Sequence, residues 1–153
     1  MREQVPYALV EEFAVASPAA RAALAALVND LAPEVRMAAC RVGRRDSGLL
    51  PEVTLSLLAL ATDPDPLVRL AAAEQLAISS DRSAIVADTL ADLLDEEDQL
   101  TWLEAAYGLA LRDDPRTAEA IDRVGELGAG FEHDHRASAL GRWRWERNQP
   151  PAR

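Results

Sequence analysis

The sequence contains one cysteine, Cys40, and no lysine, since all 16 basic residues are arginine. A single thiol excludes a disulfide within the chain and a zinc or iron–sulfur site built from several of its own cysteines. Aromatic residues make up only 5% of the chain, and no apolar stretch approaches the roughly 18 residues of a membrane-spanning helix. The N-terminal stretch has no signal-peptide pattern. We therefore expect a cytoplasmic protein without a membrane segment.

Strand signals are also absent, because no alternating β-branched segment stands between turn residues. Alanine and leucine dominate every apolar segment, and Pro6, Pro18, Pro51 and Pro115 stand at the head of such segments, where proline suits the first turn of a helix. Ser17 and Asp114 precede two of these prolines and are predicted N-caps. The predicted helices cover 6–16, 18–29, 34–44, 51–62, 66–78, 83–95, 98–112, 115–127 and 132–147. The short connections predict antiparallel neighbours in one domain, 1–147, with a disordered tail at 148–153.

An internal repeat indicates how the helices are arranged. The segments PEVRMAACRVG, PLVRLAAAEQL and QLTWLEAAYGL begin at Pro33, Pro66 and Gln99, 33 residues apart. Equivalent positions carry equivalent side chains, as at Met37, Leu70 and Leu103 and at Ala39, Ala72 and Ala105. A fixed period of this length, with one helix pair in each unit, is typical of an α-solenoid.

The segment DPDPLVRLAAAEQLA (63–77) resembles the Asp…Val-Arg-x-x-Ala-Ala signature of the short HEAT-like repeats of bacterial proteins. NDLAPEVRMAACRVG (29–43) is a weaker copy, the segment 96–112 has Thr101-Trp102 in place of Val-Arg, and HDHRASALGRW (133–143) is a degenerate fourth copy. The resemblance implies an all-α fold, a right-handed α-solenoid of about four HEAT-like helix pairs. The repeats would lie near 18–45, 51–79, 83–112 and 115–147, with a capping helix at 6–16.

The same resemblance implies a hydrogen-bonded ladder between the inter-helix Asp and the Arg of the second helix in adjacent repeats. Asp63 and Arg69 match these positions best, and Asp30 and Arg36 come next. The alternative is that the two arginines anchor a ligand. Trp102 interrupts the arginine column, either as a packed cap on the ladder or as an exposed anchor for a partner.

Arg41, Glu74 and Tyr107 occupy one repeat position on successive second helices. Their chemistry changes from helix to helix, as on a recognition surface, and Tyr and Arg are enriched at interface hot spots. They are equally well explained as variable exposed positions. Trp143 and Trp145 are two residues apart on the predicted last helix, so one should face inward and the other lie on a different side. The candidate partner-binding residues are therefore Arg41, Glu74, Tyr107, Trp102, Trp143 and Trp145.

No constellation predicts catalysis, a cofactor or a metal site. His133 and His135 lie between acidic residues, but they are two positions apart, so on a helix they would point in different directions. Cys40 aligns with Ala73 and Ala106, which favours a buried structural thiol over a nucleophile. The acidic run 92–98 lacks the central glycine and spacing of an EF-hand.

The formal net charge of −10 at pH 7 opposes nucleic-acid binding and favours a basic partner. We expect a non-enzymatic binding module, a HEAT-like scaffold or adaptor that presents a curved acidic surface to a basic protein, with no cofactor. Bacterial immunity proteins that neutralise basic toxins are similar in size and charge. One alternative is nucleic-acid binding through the Arg/Trp-rich C-terminal helix, and another is a bilin-lyase-like enzyme or accessory subunit, since HEAT-like repeats also occur in those lyases.

Overall fold

The computed structural model of the chain describes residues 18–42 and 51–152, apart from the side chain of Ala20. Within these ranges the structure has helices and no strands, which confirms the all-α prediction. The α-helices are α1 (Pro18–Val28), α2 (Pro33–Cys40), α3 (Pro51–Leu60), α4 (Pro66–Ile78), α5 (Ala84–Asp92), α6 (Gln99–Leu111), α7 (Thr117–Val124) and α8 (His135–Arg147). Short 3-10 turns cover Leu93–Asp95 and Ala129–Phe131. The predicted capping helix 6–16 and the predicted N-cap Ser17 lie outside the described residues.

Aspartate side chains cap three of the helices. Asp65, Asp98 and Asp134 each have an extended backbone, and their carboxylates accept hydrogen bonds from backbone N–H groups of the first turn of α4, α6 and α8. Such bonds satisfy donors that have no partner within the helix.

The predicted N-cap at Asp114 is wrong. Helix α7 begins at Thr117, with Arg116 as its N-cap residue. The Asp114 carboxylate instead accepts from the backbone N–H of Arg116 and closes a tight turn before the helix.

The period predicted from the sequence recurs in the helix starts. Helices α1, α3, α5 and α7 begin at 18, 51, 84 and 117, and α2, α4 and α6 begin at 33, 66 and 99. The N-cap residues Ala32, Asp65 and Asp98 share one extended conformation, with ψ of 122°, 122° and 120°. The repeat is therefore a repeat of local backbone structure as well as of residue type.

The chain divides into two compact units, Met1–Asp81 and Arg82–Arg153, called unit 1 and unit 2 below. In unit 1, α1 packs on α2 and α3, and α4 packs on α2 and α3. Its core combines small residues of the second helices with leucines from both kinds of helix; the buried set includes Leu24, Ala39, Cys40, Leu57, Ala72, Ala73 and Leu76. Small side chains let helix axes approach closely.

In unit 2, α6 is the central helix and packs on α5, α7 and α8. Its residues Leu103, Ala105, Ala106 and Leu109 are fully buried, because neighbouring helices cover more than one side of it. Buried side chains from the surrounding helices complete the core, namely Val86, Leu90, Ala120, Val124 and Leu140. None of the described helices combines the length and apolar character needed to cross a bilayer.

Candidate partner-binding surface

Arg36 and Asp63 form a two-pronged ion pair in unit 1. Arg36 Nε and Nη2 donate to the two carboxylate oxygens of Asp63 at 2.7 and 3.0 Å, and the side chains are only 14% and 6% exposed. Burial raises the pKa of Asp63, but the Arg36 guanidinium and the backbone N–H of Asp65 outweigh it and hold that pKa below its usual value. The pair links the second helix of one repeat to the inter-helix turn of the next, which is the connection that the ladder interpretation describes.

The same side-chain position makes a second kind of bond in three repeats. Arg36 Nη1 donates to the carbonyl oxygen of Asp30 at 2.8 Å, and Arg69 Nη1 donates to that of Asp63 at 2.7 Å. Trp102 Nε1 donates to the carbonyl oxygen of Glu96 at 2.6 Å. Each donor lies six residues after its acceptor. Trp102 therefore makes the same hydrogen bond as Arg36 and Arg69, although its side chain is uncharged.

The proposed row of Arg41, Glu74 and Tyr107 divides between the two units. Arg41 is exposed and Glu74 is half-buried, and both lie near Cys40 in unit 1. Tyr107 lies on α6 in unit 2, half-buried, with its ring edge-on to the ring of His135 at a centroid distance of 5.4 Å. Tyr107 is therefore partly engaged in intramolecular packing.

The two tryptophans of α8 differ in exposure. Trp143 is half-buried, and the Arg147 guanidinium carbon lies 4.0 Å from the centre of its ring. Trp145 is 64% exposed. Of the two, Trp145 offers the larger surface to a partner.

Most arginines of α8 are paired within unit 2. Arg136 donates to Glu104 and Asp134, Arg144 donates to Asp122 at 2.5 Å, and Arg147 pairs with Asp113. In the turn before α7, Arg116 pairs with Asp114 and Asp88, both at 2.8 Å. These pairs neutralise most of the basic group that the sequence places at the C-terminal end.

The pair of Arg136 with Glu104 is nearly buried, and sequence reasoning did not single it out. Glu104 is 5% exposed on α6, and the Arg136 side chain is 17% exposed. The Arg136 guanidinium, with backbone N–H groups of α8, holds the pKa of Asp134 well below its usual value. The sequence contains a signal for this pair, because the repeat equivalents of Glu104 are Ala38 and Ala71. A carboxylate at a repeat position that is otherwise alanine indicates a buried charge, which needs a cationic partner.

Several carboxylates of unit 2, unlike those of Glu104 and Asp134, are not paired with an arginine. Eight exposed acidic side chains form no ion pair with any other described residue: Asp92, Asp95, Glu97, Asp98, Glu119, Glu126, Glu132 and Glu146. The first three lie close together in the chain, around the 3-10 turn between α5 and α6. We call residues 92–97 the acidic turn. Much of the negative charge of unit 2 thus faces solvent without an ion pair, whereas four of its arginines pair with carboxylates of the same unit.

Trp102 and Arg123 lie beside the acidic turn. The Arg123 guanidinium carbon is 4.3 Å from the centre of the Trp102 ring, and Arg123 Nε donates to the carbonyl oxygen of Leu94 at 3.1 Å. Trp102 itself is tied to the turn through Glu96. The surface here combines a fixed aromatic ring, backbone oxygens and exposed carboxylates.

Within the described residues, no group of three or more His, Cys, Asp or Glu side chains is arranged to hold a metal ion. His133 and His135 are both exposed, and His135 packs on Tyr107.

Cys40 should react very slowly with thiol reagents in the folded protein. It is 1% exposed, and burial raises the pKa of its thiol to about 11, with a further contribution from the charge of Asp63. Since the thiolate is the reactive form, we expect negligible labelling by a disulfide reagent at pH 8 and complete labelling after denaturation. Equal rates in the folded and denatured protein would contradict this burial.

No protein-family model, no curated protein and no solved structure matches this chain at a significant level.

Proposed function

We propose that this protein is a non-catalytic binding module that docks a basic protein through the carboxylates of its acidic surface. The observation that carries the proposal is the uneven pairing of charge in unit 2. Four of its arginines pair with its own carboxylates, namely Arg116, Arg136, Arg144 and Arg147, while the acidic turn carries three exposed carboxylates without an ion-pair partner among the described residues. Exposed charge of one sign accelerates encounter with an oppositely charged partner and disfavours other partners.

We further propose that the module is a right-handed α-solenoid of about four HEAT-like helix pairs. Three observations support this: the 33-residue spacing of the helix starts, the shared N-cap conformation, and the equivalent side-chain bonds of Arg36, Arg69 and Trp102. In this proposal the α-solenoid is a scaffold or adaptor that binds a basic protein. An immunity-type inhibitor that covers a basic toxin would be one such module.

The two alternatives are less well supported. A nucleic-acid interface on α8 would need free arginines, but Arg136, Arg144 and Arg147 each pair with a carboxylate. No arrangement of the described residues favours a lyase-like activity.

Because Arg136, Arg144 and Arg147 are paired with carboxylates, titration with labelled DNA duplex at low salt should show no binding.

The acidic turn can be tested with two variants of equal charge change. One carries Asp92→Asn, Asp95→Asn and Glu97→Gln, and the control carries Glu126→Gln, Glu132→Gln and Glu146→Gln. We expect affinity capture from the native host to recover a basic protein, with the acidic-turn variant recovering at least about tenfold less of it than the control at low salt. The difference should shrink as salt is raised.

Equal recovery by the two variants would contradict a role for the acidic turn. Recovery of a partner that is itself acidic would contradict the proposed function. The row of Arg41, Glu74 and Tyr107 is tested in the same capture with single alanine variants, and unchanged recovery from all three would remove that row from the interface.

A further inference from the structure

Arg123 is held differently from most other arginines of unit 2. It is exposed, it pairs with no carboxylate among the described residues, and its guanidinium rests on the Trp102 ring with one hydrogen bond to the carbonyl oxygen of Leu94. Arg147 also rests on a tryptophan, but it pairs with Asp113 as well. Arg123 therefore lacks the ion pair that fixes Arg116, Arg136, Arg144 and Arg147, although it is bonded to the backbone of the acidic turn.

The ring beneath Arg123 is fixed independently of it. Trp102 Nε1 donates to the backbone carbonyl oxygen of Glu96 at 2.6 Å, a bond to the acidic turn that does not involve Arg123. Arg123 is brought there by the last turn of α7, because Gln99 Nε2 donates to the carbonyl oxygens of Val124 and Glu126, both at 2.9 Å. Gly125, between these two acceptors, has φ of 66° and ψ of −153°, a conformation that side-chain-bearing residues rarely adopt.

The surroundings suit a guanidinium better than an ammonium group. A planar guanidinium can stack on an indole face while its N–H groups reach acceptors at the ring edge, whereas an ammonium is a more strongly hydrated point charge. Here the acceptor is the Leu94 carbonyl oxygen, and the next residue in the chain, Asp95, has an exposed carboxylate.

We propose that the Trp102 ring and the Leu94 carbonyl form a seat for an arginine side chain of the basic partner, and that Arg123 occupies this seat in the free protein as a built-in competitor. This inference rests on the proposed function. The partner must displace Arg123 to use the ring face. The apparent Kd therefore equals the intrinsic Kd divided by the fraction of molecules in which Arg123 has left the seat.

The test is a fluorescence titration of the full chain in a Trp143→Phe/Trp145→Phe background, which leaves Trp102 as the single tryptophan. The probes are a synthetic peptide of alternating Gly and Arg and its Gly/Lys counterpart. Arg123→Ala is compared with Arg142→Ala, which removes the same charge from an exposed position without an ion-pair partner among the described residues. Circular dichroism checks that both variants are folded.

We expect Arg123→Ala to bind the arginine peptide about three- to tenfold more tightly than Arg142→Ala, with a change in Trp102 emission, and to gain much less for the lysine peptide. Equal affinities of the two variants would overturn the seat, as would equal gains for both peptides. Either result would leave the acidic surface to be judged by the capture experiment, so failure of the seat and failure of the proposed function are separable.

Discussion

Replacing Arg136 by methionine should lower the free energy of unfolding by about 3 kcal/mol at pH 7. Arg136 stands between the buried carboxylate of Glu104 and the N-cap carboxylate of Asp134, and it donates to both. Methionine fills similar space but leaves two neighbouring carboxylates without the guanidinium that separates them. Removing one partner of a largely buried ion pair costs more than the intact pair contributes to stability. Denaturant unfolding followed by circular dichroism measures the loss.

The same variant should show a weaker effect in acid. Arg136 holds the pKa of Asp134 well below its usual value, so the stabilisation from this contact is complete above the unfolded pKa of about 4 and is lost as pH falls towards the folded pKa. The difference between Arg136→Met and the parent protein should therefore shrink below about pH 4. Arg142→Met, on the exposed face of the same helix, is the control, and equal unfolding curves for the two variants would refute the role of Arg136.

Replacing Ala72 by leucine should cost about 1–3 kcal/mol of stability through overpacking. Ala72 is 0% exposed on α4 and lies between Ala71 and Ala73, which are also buried. Helix α2, which packs on α4, contributes the buried residues Ala39 and Cys40. Because Ala72 is fully buried, we expect the added side chain to force the packed helices apart.

Ala59→Leu is the matched control for this substitution. Ala59 lies on α3 of the same unit but is exposed, so the same enlargement there should change the unfolding midpoint little. A thermal midpoint unchanged in Ala72→Leu would show that the helices of unit 1 are not in close contact through their alanines.

The helical content of the fold was predictable because it depends on local signals. Proline at a first turn and the alanine-rich period gave the starts of α1, α3 and α4 at Pro18, Pro51 and Pro66. The start of α7 was misplaced because Asp114-Pro115 is also a good turn sequence, and the Asp114 carboxylate can cap its own turn as readily as a helix.

The candidate surface was only partly predictable. A repeat position identifies residues that are equivalent along the chain, and so it led to Trp102, Tyr107 and Glu74. It does not tell which arginine meets which carboxylate, because the partners of Arg144 and Arg147 are more than 20 residues away in sequence. Whether a charge faces solvent depends on such long-range pairs, so the sequence alone does not distinguish the acidic turn from the other acidic segments of the chain.

The bond shared by Arg36, Arg69 and Trp102 shows what one position of the repeat requires. All three side chains deliver an N–H group to a carbonyl oxygen six residues earlier, although one is aromatic and uncharged. This position of the repeat therefore keeps a hydrogen-bond donor while charge, size and aromaticity all change. A comparison by residue identity or charge scores the third repeat as a mismatch at this position, although its hydrogen bond is retained. Repeats of this kind are therefore better recognised by the position of the N–H donor than by residue type.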